Sequence, residues 1–135
     1  MIIPFNKLSE YEFSLSKINL IRQNPIYRTL TVKNRQCNGF LFFTKGEGVY
    51  EYGDKKITFT AGSVIYLPYG SKHVLKVVSD GAEFFRVDFT IKVRGEVVLF
   101  SNRPTKITDA FSKDCLEILD QLENLCLYSN DNVLK

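Results

Sequence analysis

Tryptophan is absent, histidine occurs once, and the three cysteines share no Cys-x-x-Cys spacing. Each shortage removes a class of function. A zinc or non-haem iron site takes three or more well-placed protein ligands, and His73 is the only imidazole on offer. Cys37, Cys115 and Cys126 are odd in number and far apart, which argues against a disulfide framework and against a zinc knuckle. No apolar run is long enough to cross a bilayer, and the opening Met1-Ile2-Ile3-Pro4-Phe5-Asn6-Lys7 has no secretory hydrophobic region. The expectations are a reducing cytoplasm, no membrane partner, no metal and no cofactor.

What the chain does have is 135 residues, enough for one domain with a real core, and an abundance of phenylalanine and tyrosine. Charge is mildly basic in total but unevenly spread. Lys17, Arg22, Arg28, Lys33, Arg35 and Lys45 fall in a stretch without acids, whereas Asp109, Asp114, Glu117, Asp120, Glu123 and Asp131 dominate the end. The plain reading is two solvated faces of opposite sign. The sharper one places one or two of the arginines inside the fold, facing an anionic or hydroxyl-rich ligand. Nucleic-acid binding by this stretch is disfavoured, since the basic residues are spread singly along strand-like segments.

Residues 1–11 read as an arm whose Ile2, Ile3 and Phe5 need a surface to cover. Residues 12–103 carry short β segments at 17–22, 40–44, 49–52, 56–60, 63–67, 73–78, 83–91 and 96–100, separated by turn residues. Tyr52-Gly53-Asp54-Lys55 is a fair hairpin turn. Short strands at this spacing suit an antiparallel barrel or sandwich. In the 83–91 segment, Phe85, Val87, Phe89 and Ile91 share one face and Phe84, Arg86, Asp88 and Thr90 the other. Periodicity alone favours solvent for the Arg86–Asp88 face; the alternative is a polar cavity in which the two charges pair and grip a ligand.

After Pro104 the pattern becomes helical, with Thr108 and Asp109, or Ser112 and Asp114, as candidate caps and an end near Leu127. Cys115, Leu119, Leu122 and Cys126 fall on one stripe, flanked by Ile118 and Leu125. This face is broader than packing on one barrel flank demands. It either seals the barrel or is shared with a second subunit. Ser129-Asn130-Asp131-Asn132 reads as a turn before another helix, and the chain is expected to continue past Lys135.

The stretch Gly62-Ser63-Val64-Ile65-Tyr66-Leu67-Pro68-Tyr69-Gly70-Ser71-Lys72-His73 resembles the second signature of the cupin superfamily. Aligning the first signature on Gly46-Glu47-Gly48 puts its glutamate position at Gly39 and its histidines near Val32 to Arg35, where none stands. His73 is then either a corner residue bonding locally or a ligand contact at the barrel mouth. The full order of arm, barrel, Phe84-Phe85-Arg86-Val87-Asp88-Phe89 strand and amphipathic helix resembles the N-terminal effector-binding and dimerisation domain of AraC-type transcriptional regulators. That resemblance implies a mainly β, cupin-like antiparallel barrel (double-stranded β-helix or jelly roll) followed by a C-terminal amphipathic helix. It also implies a metal-free pocket for a small effector such as a sugar. It carries the pocket onto Phe5 or its neighbours, Arg35, Leu75, Arg86 and Asp88, with Tyr50 or Tyr66 covering an apolar sugar face. It makes residues 104–135 a homodimer contact through Cys115, Ile118, Leu119, Leu122, Leu125 and Cys126, with DNA bound only by a downstream helix-turn-helix pair. On this reading the chain is not an enzyme. The competing readings are a stand-alone cupin enzyme, such as a sugar isomerase or epimerase using His73 with Asp88 or Tyr66, and a purely structural dimerisation module.

Overall fold

The computed structural model describes the backbone of residues 1–12, 14–23 and 29–134, and side chains for these except 14–23, 123 and 125–134. A 3₁₀ turn, Phe5–Glu10, precedes ten strands: β1 Ser14–Gln23, β2 Thr29–Val32, β3 Asn38–Lys45, β4 Gly48–Tyr52, β5 Lys55–Phe59, β6 Val64–Leu67, β7 His73–Val77, β8 Glu83–Val93, β9 Glu96–Val97 and β10 Thr105–Thr108. Helix α1, Lys113–Leu134, closes the chain. One sheet runs β1-β8-β3-β6-β10 with β9 on β8, and the other runs β2-β7-β4-β5. Every strand pairing is antiparallel. The architecture is the expected one: a mainly β, cupin-like barrel of two sheets followed by a helix. Tyr52 pairs with Lys55 across the anticipated hairpin, where Gly53 takes the left-handed φ of 58° that such a turn favours.

Alternation along the strands gives apolar residues to both faces of the first sheet. Leu41, Phe43, Tyr50, Phe59, Ile65, Leu67, Leu75, Val77, Ala82 and Phe84 pack together between the sheets. The opposite face of the first sheet is also covered. Phe85 and Leu119 are buried there, with Phe42, Val87, Cys115 and Leu116 against them. Phe40, Tyr66, Phe89 and Phe100 form a neighbouring ring cluster that Phe5 joins from the arm. Ile3 is buried too, and Ile2 bridges Leu99 in parallel. The arm has therefore found the surface its apolar residues required.

Strand β8 thus has two buried faces. Its apolar side, Phe85, Val87 and Phe89, faces α1 and the arm, while Phe84 enters the inter-sheet core. Since alternate residues share a side, Arg86 and Asp88 follow Phe84 into the barrel. The solvent reading of that face is overturned. Alternation identifies which residues travel together, but an apolar outer layer makes the polar face the inner one.

Three local expectations also change, while the helix cap is one of the two candidates. Residues 29–32 form a strand that low alternation concealed, and Thr105–Thr108 pairs with β6 where a helical pattern was expected to have begun. The helix cap is Ser112, whose Oγ accepts the Cys115 amide proton at 3.2 Å. The backbone remains helical through 129–132 to Leu134, with neither glycine nor proline to break it. Among the described residues no helix is long and apolar enough to cross a membrane.

The helix is held mainly by Leu119, 3 % exposed, whereas Ile118 is 56 % exposed. Leu119→Ala is expected to cost roughly 2–5 kcal/mol in chemical denaturation, by lost burial plus a residual cavity. Ile118→Ala should change stability by less than about 1 kcal/mol. Equal effects would contradict this packing.

Candidate functional site

The site begins with a residue that has no side chain. Gly39 pairs with Asp88 on one side and Leu67 on the other, so a side chain there would enter the barrel. A Cβ at Gly39 would lie 1.9 Å from Arg35 Nη2 and 2.8 Å from its Cζ. The Arg35 guanidinium fills that space. The Pro68-Tyr69-Gly70 corner fixes Arg35 from behind: the Arg35 amide donates to the Ser71 carbonyl at 3.1 Å, and the Gly70 amide donates to the Arg35 carbonyl at 2.7 Å. The corner motif therefore acts as a clamp on the loop that carries the charge.

Arg35 Nη2 lies 2.5 Å from Asp88 Oδ1, and Arg86 Nε lies 3.0 Å from Asp88 Oδ2. The Arg35 and Asp88 side chains are 10 % and 12 % exposed, and Arg86 is 27 % exposed. One carboxylate is thus shared by two guanidiniums. Against them stand His73, Tyr50 and Leu75, all buried. The His73 and Tyr50 rings meet edge to face at 5.4 Å. Burial, helped by the nearby Arg35 charge, pushes the His73 pKa down to about 4, so the imidazole is neutral at pH 7. Burial also raises the Tyr50 phenol far above its ordinary range, although Arg35 and Arg86 pull the other way. Arg35 Nε, His73 Nδ1 and Ser71 Oγ are buried without a hydrogen-bond partner among the described residues.

The edge strand β2 lies beside this group, pairing with β7. Leu30 pairs with Leu75 and so faces the interior side, yet it is 48 % exposed while Leu75 is 3 % exposed. From Tyr50 and Leu75 the apolar core continues through the rest of the space between the sheets.

Of the residues singled out by sequence, Arg35, Tyr50, His73, Leu75, Arg86 and Asp88 come together in the interior. Tyr66 does not join them. It alternates with Ile65 and Leu67, which face inward, and its hydroxyl instead donates to Asn38 Oδ1 at 2.6 Å and accepts the Phe100 amide at 3.0 Å. These bonds sit in burial that pushes its pKa up to about 12. Phe5 likewise lies in the outer ring cluster. His73 is an interior residue with a free ring nitrogen, not a corner residue bonded locally. Sequence reasoning missed Asn38, fully buried, which ties Tyr66, the Tyr69 amide and the Val98 carbonyl together. The polar residue opening an apolar strand was the available signal. Of the proposed dimer face, Leu119 is spent on the chain's own sheet, while Ile118 and Leu122 are exposed beside a cavity of about 420 Å³ between α1 and Phe42 and Val87. Cys115 lines that cavity half-buried; the side chains of Leu125 and Cys126 lie outside the described residues.

The donor set does not fit the metal that many barrels of this kind hold. Among the described residues no three His, Cys, Asp or Glu side chains cluster, and a guanidinium fills the space above Gly39, the aligned glutamate position.

No protein-family model matches the chain, and no curated protein matches it. Solved structures do. The barrel is similar to apo ToxT K231A from Vibrio cholerae, with a TM-score of 0.53 at 12 % identity over 82 % of this chain and 47 % of that one. EutQ of Clostridium difficile gives 0.49 at 19 % identity, over 53 % and 56 % of the two chains. A cupin-2 domain protein from Shewanella frigidimarina gives 0.40 at 16 % identity, over 69 % and 95 %. The chain spans about half the length of the first two. At these identities the likeness concerns the fold.

Two outcomes follow from the geometry. Gly39→Ala should displace the Arg35 guanidinium from Asp88 and cost about 1–3 kcal/mol by chemical denaturation; an unchanged stability would mean the space is empty. For His73 the folded pKa, about 4, lies below the ordinary 6.5. Its neutral form therefore contributes stability that is whole above pH 6.5 and is lost as pH falls toward 4. Relative to His73→Gln, the wild type should lose on the order of 3 kcal/mol across that window in urea titrations. A difference that stays flat with pH would contradict the buried neutral imidazole.

Proposed function

We propose that this chain is the ligand-sensing and dimerisation part of an AraC-type transcription regulator, taking a small polar effector inside its barrel. The observation that carries the reading is the Arg35–Asp88–Arg86 cluster on the interior face, beside Arg35 Nε, His73 Nδ1 and Ser71 Oγ, which are buried without a hydrogen-bond partner among the described residues. Buried polar groups cost free energy when unmatched, so a ligand that satisfies Arg35 Nε, His73 Nδ1 and Ser71 Oγ would be favoured there. A packed structural module would have no use for it. The resemblance drawn from sequence supports the class, and the fold likeness is consistent with it.

On this reading the chain performs no chemistry. His73 is held neutral and wedged against Tyr50, and Asp88 is engaged by two cations. The His73 pKa, down to about 4, lies far from the neutral range that suits proton exchange with a substrate. The exposed Ile118 and Leu122 on α1 support a homodimer through the helix. DNA would be bound by helix-turn-helix motifs beyond Lys135, in the cytoplasm. The rival, a small isomerase or epimerase, draws on His73 and Asp88 sharing one interior.

The test is a thermal-shift screen against sugars, polyols and small organic acids, repeated with Arg86→Ala. At least one compound should raise the Tm of the wild type in a saturable way, and the variant should lose most of that response. A hit that is chemically converted on incubation would favour the enzyme. No hit at all, or a variant that responds equally, would defeat the proposed pocket.

A further inference from the structure

We infer that the chain carries a second ligand site, outside the barrel, for a small apolar molecule without negative charge, lodged between α1 and the outer face of the first sheet. A cavity of about 420 Å³ lies there. Folded interiors leave few voids larger than a water molecule, so a space of this size is not ordinary packing slack. It falls instead within the range of small-molecule pockets, about 300–1,000 Å³, which are lined mainly by apolar and aromatic side chains.

The sequence explains why the space exists. Phe40 and Val87 are partners across β3 and β8, and Phe42 stands two residues along, so these three share the outer face. Opposite them, the start of α1 presents Ser112 and Cys115, two of the smaller side chains. One turn farther on, Leu119 is 3 % exposed and packs with Phe85, which fixes the helix at that height above the sheet. Ile118 and Leu122 line the cavity while remaining 56 % and 37 % exposed, so it reaches solvent beside them.

The lining also sets the charge. Among the described residues, Asp114 is the one charged side chain on it. A carboxylate there repels an anionic headgroup, and the apolar remainder offers no partner to a buried charge. A neutral ring matches Phe40, Phe42 and Leu119, and a hydroxyl or ammonium at the rim can meet Asp114 or Ser112.

The test uses the intact chain and three probes that share one ring system: 1-naphthalenemethanol, 1-naphthylmethylamine and 1-naphthoate. Thermal shift is measured beside alkylation of Cys115 by N-ethylmaleimide, followed by fragment mass spectrometry with Cys37 as internal reference. The alcohol and the amine should raise the Tm saturably and slow Cys115 alkylation roughly tenfold, while Cys37 keeps its rate. Naphthoate should bind roughly threefold more weakly or worse, and Asp114→Asn should narrow that gap. Cys115→Leu, which extends a side chain into the cavity, should abolish the Tm response. Leu122→Trp, at the exposed rim where a larger ring is tolerated, gives the same reading if Cys115→Leu fails to fold. Naphthoate binding as tightly as the alcohol would overturn the charge assignment. Tm shifts without protection of Cys115 would put the probe elsewhere and overturn the site. No Tm response to any probe would also overturn it, and protection of Cys115 by dimerisation alone would then give the space to a second copy.

Discussion

The arrangement of the barrel interior depends on one ion pair, Arg35 with Asp88, laid across the bare backbone of Gly39. Taking both charges out of water is costly, and the pair repays that only through close geometry and further bonds. Both are supplied from elsewhere in the chain. The Pro68–Gly70 corner sets the Arg35 backbone through two amide hydrogen bonds, and β3 and β8 hold Gly39 and Asp88 in register. Any residue other than glycine at position 39 would compete with the guanidinium for the same space. The corner glycine, the missing side chain and the buried acid are therefore one device contributed by three separated segments.

That device needs β8 to bury both of its faces, and the outer layer makes this possible. Leu119 and its neighbours on α1, with Phe5 from the arm beside them, cover Phe85, Val87 and the Phe40 cluster, so the polar face of β8 can turn inward without exposing phenylalanines. A sheet with only one covered face would have placed Phe85 and Phe89 in the core and Arg86 in water. The helix and arm thus have a role in the interior chemistry although they do not enter the barrel.

Much of this was legible in the chain. The turn residues and alternating runs marked eight of the ten strands, and the Gly-x₅-Pro-x-Gly-x-x-His spacing located the corner. What could not be read was orientation. Tyr66 and Tyr50 look equivalent as isolated tyrosines on short strands, yet a one-residue offset sends one outward to Asn38 and the other inward to His73. Arg86 and Asp88 look like a solvated strand face until the apolar side is seen to have its own cover. Arg35 sits in a loop, where no periodicity speaks, and its place depends on the absence of a side chain four residues later. Strand β2, Thr29–Val32, is an edge strand with little burial, so it lacks the contrast between faces that betrays the others.

A guanidinium at the heart of such a barrel changes what the interior can respond to. A bound metal ion makes a site depend on the supply of that ion and on the protonation of its ligands. Arg35 carries its charge unconditionally, and the buried His73 stays neutral well below pH 7. The charge at the Arg35 position is therefore fixed by sequence, and Asp88, by engaging both guanidiniums, is the group that lets Arg35 be buried.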